Sequence, residues 1–261
     1  MSSDSFNIVI PARFASSRFP GKALADLAGR PVLEHVWRQA RQSRASEVLV
    51  ATDDDRIAAA ARGFGAEVVR TLASHRSGME RAAEVAAARG WPDDAVLVNC
   101  QGDVPLIPPA CIDQVAALLV AQPGAAIATL CTRIETIADY RNPNVVKVVC
   151  AVDGRALYFS RAPIPSVGHG AGAPGGGANA VPESFRHVGL YAYRAGALRQ
   201  LAAASPCALE LTESLEQLRA LWLGLEIRVA LAGEPLGPDI DTPDDLHRAA
   251  RFLQREGGVV R

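Results

Sequence analysis

An apolar run, Asn7-Ile8-Val9-Ile10-Pro11, leads directly into a segment carrying Ala12, Arg13, Ser16, Ser17, Arg18, Gly21 and Lys22. Backbone amides in a tight, glycine-closed loop form an anion-binding concavity. Guanidinium forks and an ammonium supply the positive charge that a polyphosphate needs. The loop is neither GxxxxGKS/T nor GxGxxG, so it points to a nucleotide but away from P-loop ATPases and dinucleotide-dependent dehydrogenases. Lysine is otherwise scarce: of 27 cationic residues, only Lys22 and Lys147 are lysines. Lys22 closes the loop and reads as a compact charge kept for phosphate. Lys147, within Val145-Val146-Lys147-Val148-Val149, reads equally well as an outward-facing strand residue.

Acids come from two distant segments. Val96-Leu97-Val98-Asn99-Cys100-Gln101-Gly102-Asp103 is an apolar strand ending in a carboxylate. Beside a phosphate loop such an Asp suits Mg2+, which takes one or two carboxylates and leaves room for phosphate oxygens. In Asp239-Ile240-Asp241-Thr242-Pro243-Asp244-Asp245, Thr242 reads as a helix N-cap, Pro243 as the first helical residue, and two acids follow in the first turn. Those roles leave Asp241 unexplained. At a strand-to-helix junction it would share a metal with Asp103, and two such acids opposite a basic loop make a metal-assisted nucleotidyl-transfer site.

A third set suits an acidic sugar. Arg161, Arg186 and His187 would face its carboxylate, while Glu213, Glu216 and Gln217 would read its hydroxyls. Glu213 and Glu216, three apart on one predicted helix, would share a face. The same stretch also reads as a solvated helical surface. His35, His75, His169 and His247 show no metal-ligand spacing.

The elements that must position these residues alternate in the βαβ manner over the first 130 residues. Strands are predicted at 7–11, 47–51, 66–69, 95–100 and 125–130, with helices near 31–44, 54–63, 78–90 and 109–121. Short apolar strands without clean alternation fit a parallel sheet covered on both faces. Beyond residue 131 the strands 145–149, 156–159 and 188–193 follow one another without helices, which predicts a mixed or antiparallel section. Helices near 195–203 and 210–222, a strand at 226–231 and a closing helix near 242–256 complete the chain. One domain over 1–261 is expected, its halves dividing near residue 130 and its closing metal-ligand segment starting near 236. The Gly/Ala/Pro-rich stretch from Ser166 onward reads either as a surface insertion or as a lid over 166–184.

A formal net charge of −1 argues against a general nucleic-acid or membrane-surface binder. No apolar run is long enough to span a bilayer, and no leader pattern opens the chain. Cys100, Cys111, Cys131, Cys150 and Cys207 are scattered and never in CxxC spacing, as expected of buried thiols in a reducing cytoplasm.

Seven segments in one order carry a family resemblance: Ile10–Lys22, Ser74–Arg81, Asn99–Asp103, Phe159–Pro165, Arg186–Tyr191, Leu215–Arg219 and Asp241–Leu246. Together they resemble the 3-deoxy-manno-octulosonate cytidylyltransferases over roughly residues 6–250. The resemblance implies a nucleotide-diphospho-sugar transferase fold: α/β, with a mostly parallel sheet flanked by helices and the mixed section in the second half. It implies a Mg2+-dependent cytoplasmic homodimer that joins CTP and 3-deoxy-D-manno-octulosonate (KDO), giving CMP-KDO and pyrophosphate. Carried over by position, Lys22, Arg13, Asp103 and Asp241 would be catalytic, and Asp103 and Asp241 would bind Mg2+. Ala12, Arg13, Arg18, Lys22, Ser77, Gly78, Arg81 and Gln101 would hold the nucleotide. Gln101, Arg161, His187, Tyr191, Glu216 and Gln217 would line the sugar pocket. The chain departs from the pattern at Val104, where the family has Glu, at Met79, where it has Thr, and in the stretch after Pro165. Two neighbouring readings stay open: a cytidylyltransferase for sialic acid or 8-amino-KDO, and a catalytically silent subunit of the same fold. The sialic-acid enzymes carry a Gly-Gly-Ser-Lys version of the first loop, unlike this chain.

Overall fold

In the computed structural model, residues 5–15, 19–166 and 181–257 are described. The order of elements begins β1 (Phe6–Pro11), the hairpin strands β2 (Asp26–Leu27) and β3 (Arg30–Pro31), α1 (Val32–Ala40), β4 (Glu47–Thr52), α2 (Asp55–Gly63) and β5 (Glu67–Arg70). It continues with α3 (Gly78–Ala88), β6 (Val96–Asn99), α4 (Pro109–Val120), β7 (Ile127–Arg133), α5 (Ile137–Arg141), β8 (Lys147–Cys150), β9 (Ala156–Ser160) and β10 (Phe185–Arg194). The last elements are α6 (Ala195–Ala203), α7 (Ala208–Glu213), α8 (Gln217–Trp222), β11 (Ile227–Leu231) and α9 (Pro243–Gly257).

The main sheet runs β11-β7-β10-β6-β1-β4-β5, with β8 paired to β10 and β9 to β8. The β1–β4, β1–β6, β4–β5 and β7–β11 pairs are parallel, whereas β10 is antiparallel to β6, β7 and β8. The predicted α/β class, with its antiparallel section late in the chain, is what the structure has. Both faces of the sheet are covered. Ile8 and Ile10 enter one core with helices α1, α2 and α4, while Val9 between them enters the other with α3, α6 and α8. All three are fully buried. Each such side chain contributes roughly 1.5–3 kcal/mol by leaving water, so the central strand is held from both sides and its C-terminal end is a rigid platform.

Several expectations need correction. The predicted helix 210–222 is two helices, α7 and α8, broken at Ser214, whose φ of 53° lies in the left-handed region. Glu213 and Glu216 therefore do not share a face. Asp241 does not stand at a strand-to-helix junction, because β11 ends at Leu231 and an irregular segment leads to α9. Lys147 does not face outward: it is fully buried, and its Nζ donates to the carbonyls of Asn142 (2.9 Å), Val145 (2.6 Å) and Arg161 (2.6 Å). Burial, aided by the charge of Arg161, lowers its pKa. The first helix stops at Ala40, and the β2–β3 hairpin and α5 gave no signal strong enough to predict. Most of the suggested lid lies outside the described residues.

Candidate active site

A cavity of about 390 Å³ opens at the C-terminal ends of β1 and β6. From β1 the chain crosses to β4 on one side, while β6 lies on the other, so this is the crevice where strand order switches in an α/β sheet. Glycine lets the walls approach closely. A Cβ on Gly102 would stand 2.8 Å from the Pro11 carbonyl oxygen, and one on Gly78 would stand 2.9 Å from Pro11 Cγ. Gly21, at φ 73°, returns the loop so that its N–H donates to the Phe14 carbonyl at 2.9 Å, and Arg56 lies over the Phe14 ring.

Lys22 sits where the two distant acids meet. Its Nζ pairs with Asp103, with Asp241 Oδ1 at 3.3 Å and with the Ile240 carbonyl at 3.2 Å. Those three acceptors match the three donors of an ammonium. The acids are brought together by backbone and packing. The Ile240 N–H donates to the Asp103 carbonyl at 3.0 Å. Ile240 is fully buried in a small core with Leu27, Val32, Leu106 and Ala249. Asp245 then fixes the helix start, accepting from the Asp241 N–H (3.1 Å), the Thr242 N–H (2.8 Å) and Thr242 Oγ1 (2.9 Å). Partial burial raises Asp239 to about 6; Asp103, Asp241 and Asp245 add to that shift, and Arg186, 3.5 Å away, opposes it.

This donor set fits a divalent cation. The ammonium already marks a point that both carboxylates reach, and two carboxylates leave positions for phosphate oxygens and water. Among the described residues, no group of three or more His, Cys, Asp or Glu is placed to hold a metal. A cation here would need the substrate's phosphates to complete its shell.

Ala12, Arg13, Ser77, Gly78, Arg81 and Gln101 all line the cavity beside this centre. Arg18 lies outside the described residues. Arg13 is exposed, and its Nη1 donates to the Arg76 carbonyl at 3.2 Å. Arg81 is buried, donating to Thr71 Oγ1 at 2.7 Å and pairing with Asp53 at 2.8 Å, so much of its guanidinium is held inside the protein. Ser77 caps α3 by accepting from the Glu80 N–H.

Of the sugar-side residues, Gln101, Tyr191, Glu216 and Gln217 line the cavity, whereas Arg161 and His187 do not. His187 is buried behind Tyr191, its ring 5.1 Å from the tyrosine's and its Nε2 3.0 Å from Thr129 Oγ1. Burial, with Arg186 adding to it, lowers its pKa to about 3, so it stays neutral and offers no cation to a carboxylate. Arg161 bonds the carbonyls of Glu213 (2.7 Å) and Pro143 (3.0 Å). Glu213 in turn accepts from Ser160 Oγ and the Arg161 N–H. This cluster holds the α7–α8 break that turns Glu216 and Gln217 toward the cavity. Glu216 is exposed and opens onto the cavity. Desolvation by the cavity walls raises its pKa, with a hydrogen bond to Ser77 opposing the shift.

Sequence reasoning missed Arg76, Asn99 and Tyr193, which also line the cavity. Tyr193 had a signal, since it stands two residues from Tyr191 and so shares its strand face. Of the departures, Met79 is a buried core residue packed with Val9 and Leu97 and does not reach the cavity wall.

A cytidylyltransferase family model matches residues 7–227. The 3-deoxy-manno-octulosonate cytidylyltransferase of Pseudomonas syringae pv. syringae is 51% identical over 95% of this chain and 98% of its own length. The chain belongs to the 3-deoxy-manno-octulosonate cytidylyltransferase family. The Verminephrobacter eiseniae member is likewise 51% identical, over 96% of this chain and 95% of its own length. A solved structure of CMP:2-keto-3-deoxy-manno-octonic acid synthetase complexed with CTP superposes with a TM-score of 0.86 at 37% identity, covering 97% of this chain and 99% of that one. The family's fold, parallel at the nucleotide end with a late antiparallel section, is the fold described above.

Proposed function

We propose that this protein transfers CMP from CTP to KDO, releasing pyrophosphate and activating the sugar for lipopolysaccharide synthesis, with Mg2+ as cofactor. The observation that carries the reading is the convergence of Lys22, Asp103 and Asp241 inside one cavity. The CTP complex of so similar a protein supports the choice of nucleotide.

In the reaction the anomeric hydroxyl oxygen attacks the α-phosphorus of CTP. A new P–O bond forms as the bond to the bridging oxygen breaks, and pyrophosphate leaves with that electron pair. The hydroxyl proton passes to water in the cavity. Lys22 and Arg13, joined by Arg18, neutralise the triphosphate and the charge growing on the leaving group. Ala12, Ser77, Gly78, Arg81 and Gln101 flank the nucleotide. Gln101, Tyr191, Glu216 and Gln217 orient the sugar acid, with Arg161 and His187 supporting that wall from behind. Asp103 and Asp241 would hold Mg2+, which when bound offsets phosphate charge and lowers the pKa of the attacking hydroxyl. The remaining catalysis is positioning.

Two coarser features belong to the same proposal. Leu157 on edge strand β9, Leu211 on α7, and Trp222 and Leu223 at the end of α8 are exposed apolar side chains on contacting elements, which supports a homodimer through that face. The free cysteines support a reducing, cytoplasmic setting. Pyrophosphate release measured with CTP, UTP, ATP and GTP against KDO, 8-amino-KDO and sialic acid tests the reading. CTP with KDO should be the fastest pair; equal rates with UTP or with sialic acid would overturn it.

A further inference from the structure

Asn99 ends a strand whose other residues are Val96, Leu97 and Val98. It is 1% exposed, its Oδ1 has no hydrogen-bond partner, and the residue forms part of the cavity wall. A structural asparagine in a core has its amide paired within the protein, since an unpaired buried oxygen loses its hydration without replacement. Here the pairing is incomplete, and the residue that carries it stands in the cavity wall.

The neighbours identify the kind of ligand. In the β6–β10 ladder Asn99 stands opposite Tyr191, and Leu97 opposite Tyr193, so Asn99 and both tyrosines share one face of the sheet. The two tyrosine rings stack with centroids 5.6 Å apart. Gln217, mostly buried, and Glu216 line the same cavity. None of these side chains is cationic, in contrast to Arg13, Lys22 and Arg76 on the phosphate side. Amide, phenol and carboxylate groups suit hydroxyls, which both donate and accept, and bring no positive charge to neutralise a phosphate.

We infer that Asn99 binds a hydroxyl of the sugar acid through its side-chain amide and, with Tyr193 beside it, is a specificity-determining residue of the sugar subsite. The inference rests on the sugar acid occupying this cavity, as proposed above. It also explains why a polar residue persists at the end of an apolar strand: the amide is left under-paired in the free protein and is satisfied on binding.

The test combines Asn99→Leu with substrate analogues that each lack a single hydroxyl. In the variant the KM for KDO should rise about tenfold or more, with the KM for CTP within about twofold of wild type. The melting temperature should hold or increase, because the unpaired amide is gone. One deoxy analogue that is a poor substrate for the wild type should be no poorer than KDO for the variant. If Asn99→Leu fails to fold, Asn99→Ser removes the amide without added bulk and takes the same panel. The inference is wrong if the KM for KDO is unchanged, if both KM values rise while the melting temperature falls, or if every deoxy analogue keeps its wild-type penalty. A wild type unable to release pyrophosphate from CTP and KDO would sink the reaction assignment as well.

Discussion

The cationic wall of the cavity is made where strands end, whereas the wall carrying Tyr191, Glu216 and Gln217 is made by the flank of β10 and the break between α7 and α8. At the first wall the backbone leaves the sheet, so charged side chains stand at the mouth whatever their rotamer. At the second, one residue faces the cavity and its neighbour faces the core. Tyr191 reaches the ligand side while His187, four residues earlier on the same strand, is sealed behind it. On the proposed function, charge handling is concentrated in a few groups, and sugar recognition is spread over many weaker ones.

That contrast sets the order of expected effects. Asp103→Asn and Asp241→Asn should each lower kcat by about 10²–10⁴ while circular dichroism and melting temperature stay near wild type, and Lys22→Met by about 10²–10³. Residual turnover within tenfold of wild type would show that charge is not concentrated there. Gln217→Ala should instead raise the KM for KDO about tenfold and leave kcat within a few-fold, since it removes one hydroxyl contact among several. A larger loss in kcat than in KM would erase the distinction between the walls.

Behind the sugar wall, His187 makes a prediction about pH. Its folded pKa of about 3 lies below its unfolded value near 6.5, so the unfolded state binds the proton more readily. Stability should fall on acidification from about pH 6.5 toward 3, by about 1.4 kcal/mol per unit below 6.5. His187→Asn should flatten that slope in urea titrations at pH 5 and 7, and an unchanged slope would refute the buried, neutral assignment. The smallest effect belongs to Ser214. Ser214→Gly relieves a left-handed residue and should stabilise by up to about 1 kcal/mol, read as a rise of a few degrees in melting temperature. A fall would mean that contacts of the serine side chain outweigh the backbone strain.

Legibility followed the same division. The βαβ alternation, the loop ending in Lys22 and the strand ending toward Asp103 were readable because period, punctuation and charge coincide in short stretches. The meeting of Asp241 with Asp103 was expected, but its means was not: a single hydrogen bond from Ile240 to Asp103 and a small core around Ile240 replace the expected strand end. The helix break at Ser214 was invisible, because Leu211 to Leu218 keeps a helical pattern and only tertiary contacts of Glu213 with Ser160 and Arg161 favour interruption. The burial of Lys147, which the strand pattern left open, was illegible for a related reason. Nothing local announces that three carbonyls will converge on one ammonium in the core.

The account depends on Asp103 and Asp241 serving one shared cation. Mn2+ titration in the presence of a non-hydrolysable CTP analogue, followed by electron paramagnetic resonance, tests this directly with Asp103→Asn, Asp241→Asn and the double variant. If the ion is shared, the double variant should lose little more affinity than either single one, because each acid's contribution needs the other. Losses that simply multiply, or tight binding that survives in either single variant, would show that the two carboxylates act apart and would contradict the account.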